Sequence, residues 1–173
     1  MCGRSNYCNN RRSQTKEMKQ IKYKVLIASL VIVYLTVFIG STFTSQSVDS
    51  TWYDSIKPSI TPPNYIFPIV WNILFLLISL SIYFSWISAK NASTKKSIAI
   101  LFGINLFFNM FWSFAFFSQQ NPQGAFAILI ALWLSILSLL ILTWRINKTS
   151  TYLLVPYLVW VTFAGVLNGI IAF

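Results

Sequence analysis

Long apolar stretches alternate along the chain with short polar connections. Between Pro58 and Ala89, between Ser97 and Trp144, and between Thr149 and Phe173 there is no Asp, Glu, Lys, Arg or His. About 20 apolar residues in helical conformation are long enough to cross the hydrocarbon core of a bilayer. Five stretches meet that length, and we predict one transmembrane helix in each: Val25–Phe43, Ile66–Ser88, Ser97–Phe117, Gly124–Trp144 and Thr151–Ala172.

The same stretches predict the fold class. Inside a bilayer every backbone N–H and C=O must be bonded within the protein, so only helices and closed β-barrels can span it. Barrel strands alternate apolar and polar positions, which runs such as Leu137–Leu142 do not. We therefore predict an all-α integral membrane protein built as a five-transmembrane-helix bundle. It consists of a basic N-terminal tail, residues 1–24, and a membrane domain, residues 25–173.

Composition excludes an ordinary soluble domain. Hydrophobic residues make up 56% of the chain and charged residues 9%, whereas charged residues are about a quarter of a typical globular domain. The formal net charge of +10 does not indicate a nucleic-acid partner, because the basic residues lie in the tail and between the predicted spans. Membrane lipid is the partner that this arrangement predicts.

The distribution of basic residues predicts the orientation. Twelve of the thirteen Lys and Arg residues lie in the tail, in the Lys90–Lys96 connection and just after Trp144, and the other is Lys57. Because cytoplasmic segments are enriched in Lys and Arg, we expect the N-terminus inside and the C-terminus outside. The membrane would be a bacterial cell membrane or an organelle membrane such as the mitochondrial one. Cleavage of the first span as a signal peptide, and a start at Met18 that removes residues 1–17, are open alternatives.

The predicted spans offer little catalytic chemistry. Without acids, bases or histidines they exclude proton relays, carboxylate-coupled ion transport and His-ligated haem, and a serine nucleophile would have no base to activate it. The two cysteines, Cys2 and Cys8, lie in the tail and indicate no disulfide framework. We therefore predict no catalytic residue, no metal site and no required cofactor.

Aromatic and amide side chains are the remaining candidates for binding. At helical spacing they fall on one face of each of three spans, and the predicted directions of the spans bring the three faces to a similar depth. Such faces, covered by the Thr44–Tyr65 loop, could form an aromatic pocket with a few polar groups. The candidates are Trp71, Phe75, Asn105, Asn109, Trp112, Trp160, Ala164 and Asn168.

Packing is the alternative explanation for the same residues. Asparagines in membrane helices often bond a neighbouring helix, at about 0.6 kcal/mol on average, and tryptophans such as Trp86 and Trp144 at span ends are typical of the interface. Gly165 and Gly169 would allow close helix approach, either inside the bundle or in a dimer.

Three ordered blocks of sequence resemble the TspO/MBR family, the tryptophan-rich sensory proteins that include the translocator or peripheral benzodiazepine receptor. The blocks are the loop from Trp52 to Pro63 with the following Pro68-Ile69-Val70-Trp71, the third-span block Asn109–Trp112 with Phe116-Phe117, and the fifth-span block from Pro156 to Asn168. The resemblance runs from Gly40 to the C-terminus, and the tail lies outside it.

The resemblance implies a five-helix bundle, commonly a homodimer, with a ligand cavity that the first loop closes. It places cavity residues at Trp71, Phe75, Asn109, Trp112, Trp160 and Ala164. Asn168 joins this set because it shares the helical face of Trp160 and Ala164. It implies porphyrins and other tetrapyrroles as ligands. Cholesterol is not expected, because Gly169 replaces the Tyr of the proposed cholesterol motif and no basic residue follows. The loop residues that would form the lid are Trp52, Tyr53, Asp54, Lys57, Pro62 and Pro63.

Together these patterns predict a membrane receptor or sensor that binds a porphyrin or another flat, largely apolar tetrapyrrole-like ligand, aiding its transport or regulation. A passive transporter of such ligands is the first alternative, and tryptophan-dependent photochemical porphyrin degradation, the only enzymatic reading, is the second. Asp54 is expected to be structural, as part of a tie that holds the lid, because a single carboxylate has no partner for acid–base chemistry.

Overall fold

The computed structural model describes residues 4–45, 47–48 and 50–173, with side chains from residue 20 onward. The helices are numbered in chain order, and a short one lies in the first loop. A single π-helical turn, Phe114–Ser118, extends the fourth helix. The helices are α1 (Arg4–Ser45), α2 (Thr51–Ile56), α3 (Ile66–Ser88), α4 (Ala92–Ser113), α5 (Pro122–Ile146) and α6 (Lys148–Ala172).

The predicted fold class is confirmed. Five helices in the described part of the chain are long and apolar enough to cross a membrane, and they pack as one bundle. The first of these spans is Gln20–Ser45, the C-terminal part of α1, and the other four follow the predicted stretches. The chain is therefore an integral, multi-pass membrane protein.

Two helices begin earlier than the apolar pattern predicts, because asparagines cap them. Asn91 accepts a hydrogen bond from the Thr94 amide, so α4 begins at Ala92, before its lysines. Asn147 accepts one from the Thr149 amide, so α6 begins at Lys148. An N-cap side chain bonds an amide that the helix itself leaves unpaired, which stabilises the helix by about 1 kcal/mol.

At the end of the bundle where α4 and α6 begin, basic residues lie over aromatic rings. Lys148 Nζ is 5.1 Å from the centre of the Trp144 ring, and Lys95 Nζ is 5.8 Å from that of Trp86. Such cation–π contacts anchor side chains where a helix leaves the apolar phase.

Helices α5 and α6 pack against each other more extensively than any other pair in the described part of the chain. A Cβ atom on Gly165 would lie 3.1 Å from Leu129 Cδ2, and one on Gly169 would lie 3.3 Å from Phe126 Cε2. The two glycines therefore let α6 approach α5 within the same chain, which is the first of the two roles that their spacing allows.

The half of the bundle away from the first loop is filled by side chains. Ile78, Ile98, Leu139 and Leu154 are completely buried there and belong to one continuous apolar core. The half near the first loop, which we call the lid end, contains the cavity described below. The molecule is thus packed at one end and hollow at the other.

The π-helical turn lies at the lid end of the third span, where it extends α4. Gln119 N–H donates to Phe114 O and Asn121 N–H to Ala115 O, which closes the wide turn. Gln120 then takes a positive φ of 47°, and Asn121 caps α5 through the Gly124 amide. The wide turn buries Phe116 and Phe117 together, facing the first loop.

Candidate functional site

A cavity of about 970 Å³ occupies the lid end of the bundle. Its walls come from four helices, α1, α3, α4 and α6, and the first loop covers it. This volume lies at the upper end of the range for small-molecule binding sites, which is about 300–1,000 Å³.

Most of the residues predicted for the site line this cavity. The structure brings together side chains from the second, third and fifth spans and from the loop, as the helical faces and the family resemblance imply. The predicted residues found in the lining are Trp71, Phe75, Asn109, Trp112, Ala164 and Asn168 from the spans, and Tyr53, Lys57, Pro62 and Pro63 from the loop.

Two of the candidates from the spans, Asn105 and Trp160, do not line the cavity. Phe67 forms the wall next to Trp160, and the Trp160 ring packs edge-on against Phe67 at a centroid distance of 5.8 Å. Phe163 contacts the Trp160 ring from its own helix at 5.6 Å. Trp160 therefore supports the wall from behind instead of contacting the interior.

Stacked aromatic pairs form two sides of the cavity. Trp71 stacks on Phe75 with centroids 5.3 Å apart and planes at 24°, and Trp112 stacks on Phe116 at 5.4 Å and 26°. Both pairs have the i, i+4 spacing that places side chains on one helix face. The fixed rings offer broad apolar faces to a flat conjugated ligand.

The asparagines of the site bond neighbouring helices, as the packing alternative proposed. Trp112 Nε1 donates to Asn168 Oδ1 at 3.0 Å, and Asn168 Nδ2 donates to the Pro122 carbonyl at 2.8 Å. Asn109 Nδ2 donates to the Tyr157 hydroxyl at 3.1 Å. Helices α4, α5 and α6 are held in register around the cavity by these bonds.

Aromatic packing and one side-chain hydrogen bond hold the first loop on the bundle. Tyr53 of α2 is buried against Phe116 and Phe117, at centroid distances of 6.3 and 5.8 Å. Ser47 Oγ donates to the Phe117 carbonyl of the bundle at 3.1 Å. Within the loop, Asn64 Nδ2 donates to the Val48 carbonyl at 3.2 Å. The loop is therefore a structured lid, whose main anchor is Tyr53.

Burial raises the pKa of the Tyr53 hydroxyl above its ordinary value, and the nearby Asp54 carboxylate raises it further. The phenol is therefore neutral at physiological pH. A neutral ring is the form that packs against Phe116 and Phe117 without placing a charge in an apolar contact.

The structural role of Asp54, as part of a tie that holds the lid, stays a prediction. Asp54 forms an ion pair with Lys57, three residues further along the lid, and both side chains are largely exposed. Because the pair lies within the lid and is exposed, it contributes little stability. Asp54 and Trp52 are also absent from the cavity lining, and Trp52 packs on the outer side of Phe116 at 5.8 Å.

Sequence reasoning missed several lining residues. A stripe of small and hydroxyl side chains on α1, Gly40, Ser41 and Thr44, faces the cavity, and its three-to-four spacing is a signal that could have found it. Phe67 and Phe117 line the cavity as well. Phe117 could not be predicted from α-helical spacing, because the π-helical turn changes that spacing and buries Phe117 together with Phe116.

Comparison with known proteins supports the resemblance found in the motifs. The sequence model of the TspO/MBR family matches residues 28–173. The chain is 38% identical to the tryptophan-rich protein TspO of Archaeoglobus fulgidus, over 83% of this chain and 92% of that protein. It is 30% identical to the tryptophan-rich sensory protein of Cereibacter sphaeroides, over 68% and 72% of the two chains. It is 28% identical to the translocator protein of Bos taurus, over 76% and 78%.

Proposed function

The chain belongs to the TspO/MBR family of membrane proteins, and from that premise we propose that it is a membrane receptor or sensor for flat, largely apolar ligands of the tetrapyrrole type. Relatives carry the names sensory protein and translocator protein, which are not names of enzymes. The proposal assigns the ligand to the cavity at the lid end.

The observation that carries this proposal is the lining of the cavity. Two stacked aromatic pairs face an interior with few free polar groups, and a structured lid covers it. Aromatic rings gain about 0.5–1.5 kcal/mol from each well-placed ring contact beyond the burial of area. A conjugated macrocycle or open-chain tetrapyrrole presents the broad faces that make such contacts.

Lys57 adds a feature that suits acidic tetrapyrroles. It is the one residue with a formal charge in the described cavity lining, and it lies in the lid at the cavity mouth. Its ammonium group pairs with Asp54 and could exchange that partner for a ligand carboxylate. An orientation with the apolar ring inside and acidic substituents at the lid follows from this placement.

A receptor or sensor fits the structure better than a passive transporter. A transported ligand must leave through the opposite end of the bundle, where Ile78, Ile98 and Leu139 are completely buried in the core. Release of the ligand on the side from which it entered requires movement of the lid alone. Transport would show as porphyrin crossing the membrane of a sealed vesicle that contains the protein.

Porphyrin titration of the purified protein, followed by porphyrin absorbance, tests the proposal. Replacement of Trp71 by Phe should weaken binding about 2- to 10-fold, because one ring contact is reduced. Ala164→Leu should weaken it further, because the added side chain fills the cavity. Trp160→Phe should have a smaller effect than Trp71→Phe, since Trp160 lies behind Phe67.

Trp86→Phe and Trp144→Phe are the matched controls, since neither residue lines the cavity. Both variants should bind porphyrin as the unmodified protein does. Equal losses in all these variants, or no loss in Trp71→Phe and Ala164→Leu, would show that porphyrin binds elsewhere. Light-dependent loss of porphyrin over many turnovers would indicate catalysis instead.

A further inference from the structure

A continuous line of side-chain hydrogen bonds leads from the cavity into the core. It begins at Asn109, which lines the cavity and is 8% exposed. Asn109 Nδ2 contacts the Tyr157 hydroxyl at 3.1 Å, that hydroxyl contacts Asn105 Oδ1 at 3.2 Å, and Asn105 Nδ2 contacts Ser135 Oγ at 2.8 Å. The line ends where Ser135 Oγ lies 2.6 Å from the Leu132 carbonyl oxygen.

The far end determines the direction of every bond in this line. A carbonyl oxygen can only accept, so the short contact between Ser135 Oγ and Leu132 O requires the serine proton to lie between the two oxygens. Ser135 must then accept from the amide nitrogen of Asn105. The Asn105 oxygen in turn accepts from Tyr157, and the Tyr157 oxygen accepts from the amide nitrogen of Asn109.

The reverse direction is unfavourable. It would use the serine proton on Asn105 and leave two oxygens 2.6 Å apart with no proton between them. Asn105, Tyr157 and Ser135 are buried, so water does not compensate for such a contact. The orientation of the Asn109 amide is therefore set, through Tyr157, Asn105 and Ser135, by the Leu132 backbone carbonyl of α5.

This direction leaves the Asn109 carbonyl oxygen for the cavity. Asn109 Oδ1 accepts no hydrogen bond within the described part of the chain, and it is not sealed from solvent. Asn168, the other asparagine between α4 and α6, already accepts from Trp112 and donates to Pro122. The wall between these two helices thus offers the cavity a fixed acceptor at Asn109.

We infer that Asn109 selects ligands that bring an N–H or O–H donor to the edge of a planar ring system. Within the tetrapyrrole class of the proposed function, on which this inference rests, open-chain molecules with pyrrole and lactam N–H groups at their edge meet that requirement. A closed macrocycle does not, because its N–H groups point to its own centre. Ser135 is then a positioning residue, which acts on the ligand only through Asn105 and Tyr157.

A pair of probes that differ only at the donor tests the inference. Carbazole has one edge N–H, and N-methylcarbazole has a methyl group in its place. Calorimetric titration of the full-length protein in detergent micelles, with protein-free micelles as the blank, should give about 5- to 10-fold tighter binding of carbazole, the contribution of one buried hydrogen bond. Equal binding of the two, or binding of neither, overturns the inference.

Ser135→Ala then tests the origin of the selectivity without altering any cavity residue. Once the bond to the Leu132 carbonyl is removed, the amides of Asn105 and Asn109 can turn over, and Asn109 can offer N–H as readily as C=O. The preference for carbazole should fall to within about 2-fold. Ser138→Ala is the matched control, because Ser138 bonds the Leu134 carbonyl on the exposed face of the same helix.

A preference for carbazole that survives Ser135→Ala would overturn the role of the hydrogen-bond line. Failure of the proposed function is distinguishable from failure of the inference. If the proposed function fails but the inference holds, the protein shows no saturable porphyrin binding and still binds carbazole more tightly than N-methylcarbazole.

Discussion

Some residues of the site only form the cavity surface, and others also position neighbouring groups. Trp71 and Phe75 form the surface, whereas Asn168 lines the cavity and also bonds Trp112 and the Pro122 carbonyl. Both types of residue occur at the same helical spacing. Spacing identifies the face on which a side chain lies, but it does not identify the atom that the side chain will bond.

Trp160 shows the same limit of sequence reasoning in a different way. Its helical face is shared with Ala164 and Asn168, which do line the cavity. Phe67, which precedes a proline at the start of α3, lies between Trp160 and the interior. No periodicity in α6 could reveal this, because the intervening ring comes from a different helix.

Tyr53 provides a prediction at the residue scale. Replacement of Tyr53 by Ala removes two ring contacts that hold the lid, so porphyrin should dissociate at least about 5-fold faster. Stopped-flow displacement of bound porphyrin measures this rate. Ser55→Ala is the control, and it should leave the rate unchanged, because Ser55 is exposed and bonds the Trp52 carbonyl within the lid. An unchanged rate in Tyr53→Ala would show that another contact holds the lid.

At the scale of elements, the apolar stretches were sufficient to predict five spans but not their ends. The asparagine caps at Asn91 and Asn147 start α4 and α6 early enough to include Lys95, Lys96 and Lys148, which the hydrophobic pattern assigns to the connections. The π-helical turn is a second feature that apolar composition does not reveal. It depends on hydrogen bonds of Ala115 and Phe114 with residues beyond the helix.

Gly165 provides a prediction for the α5–α6 pair. Gly165→Val should lower the free energy of unfolding by about 1–3 kcal/mol, because the added atoms meet Leu129 at a contact that is already close. Thermal unfolding in detergent measures the loss. Gly103→Val is the matched control, since a Cβ atom at Gly103 meets nothing within 4 Å. A change in oligomeric state without loss of stability would indicate instead that Gly165 lies in a dimer interface.

At the scale of the whole molecule, the asymmetry of basic residues predicts which end faces the cytoplasm. The lid end has Lys57 as its one basic residue between Val25 and Ala89, whereas lysines and arginines flank the spans at the packed end. The positive-inside rule places the packed end inside and the cavity outside. A ligand would then reach the site from the outer side of the membrane.

Cysteine labelling checks this orientation. In a chain with Cys2 and Cys8 replaced by Ser, an impermeant thiol reagent added outside intact cells should label Ser59→Cys in the lid. It should label Ser93→Cys, at the start of α4, only after the cells are opened. Both positions are exposed, so a difference in labelling reports the side of the membrane and not burial. Labelling of both from outside would contradict the predicted orientation.

The spans that hold the cavity contain no Asp, Glu, Lys, Arg or His between Val25 and Phe43, between Ile66 and Ser88, between Ser97 and Phe117, or between Thr151 and Ala172. A membrane voltage does work only on charge that moves through it, about 2.3 kcal/mol for one elementary charge across 100 mV. Lid opening moves no span charge across the bilayer. The affinity for an uncharged ligand should therefore be the same in an energised membrane as in a depolarised one, so that occupancy reports ligand concentration alone.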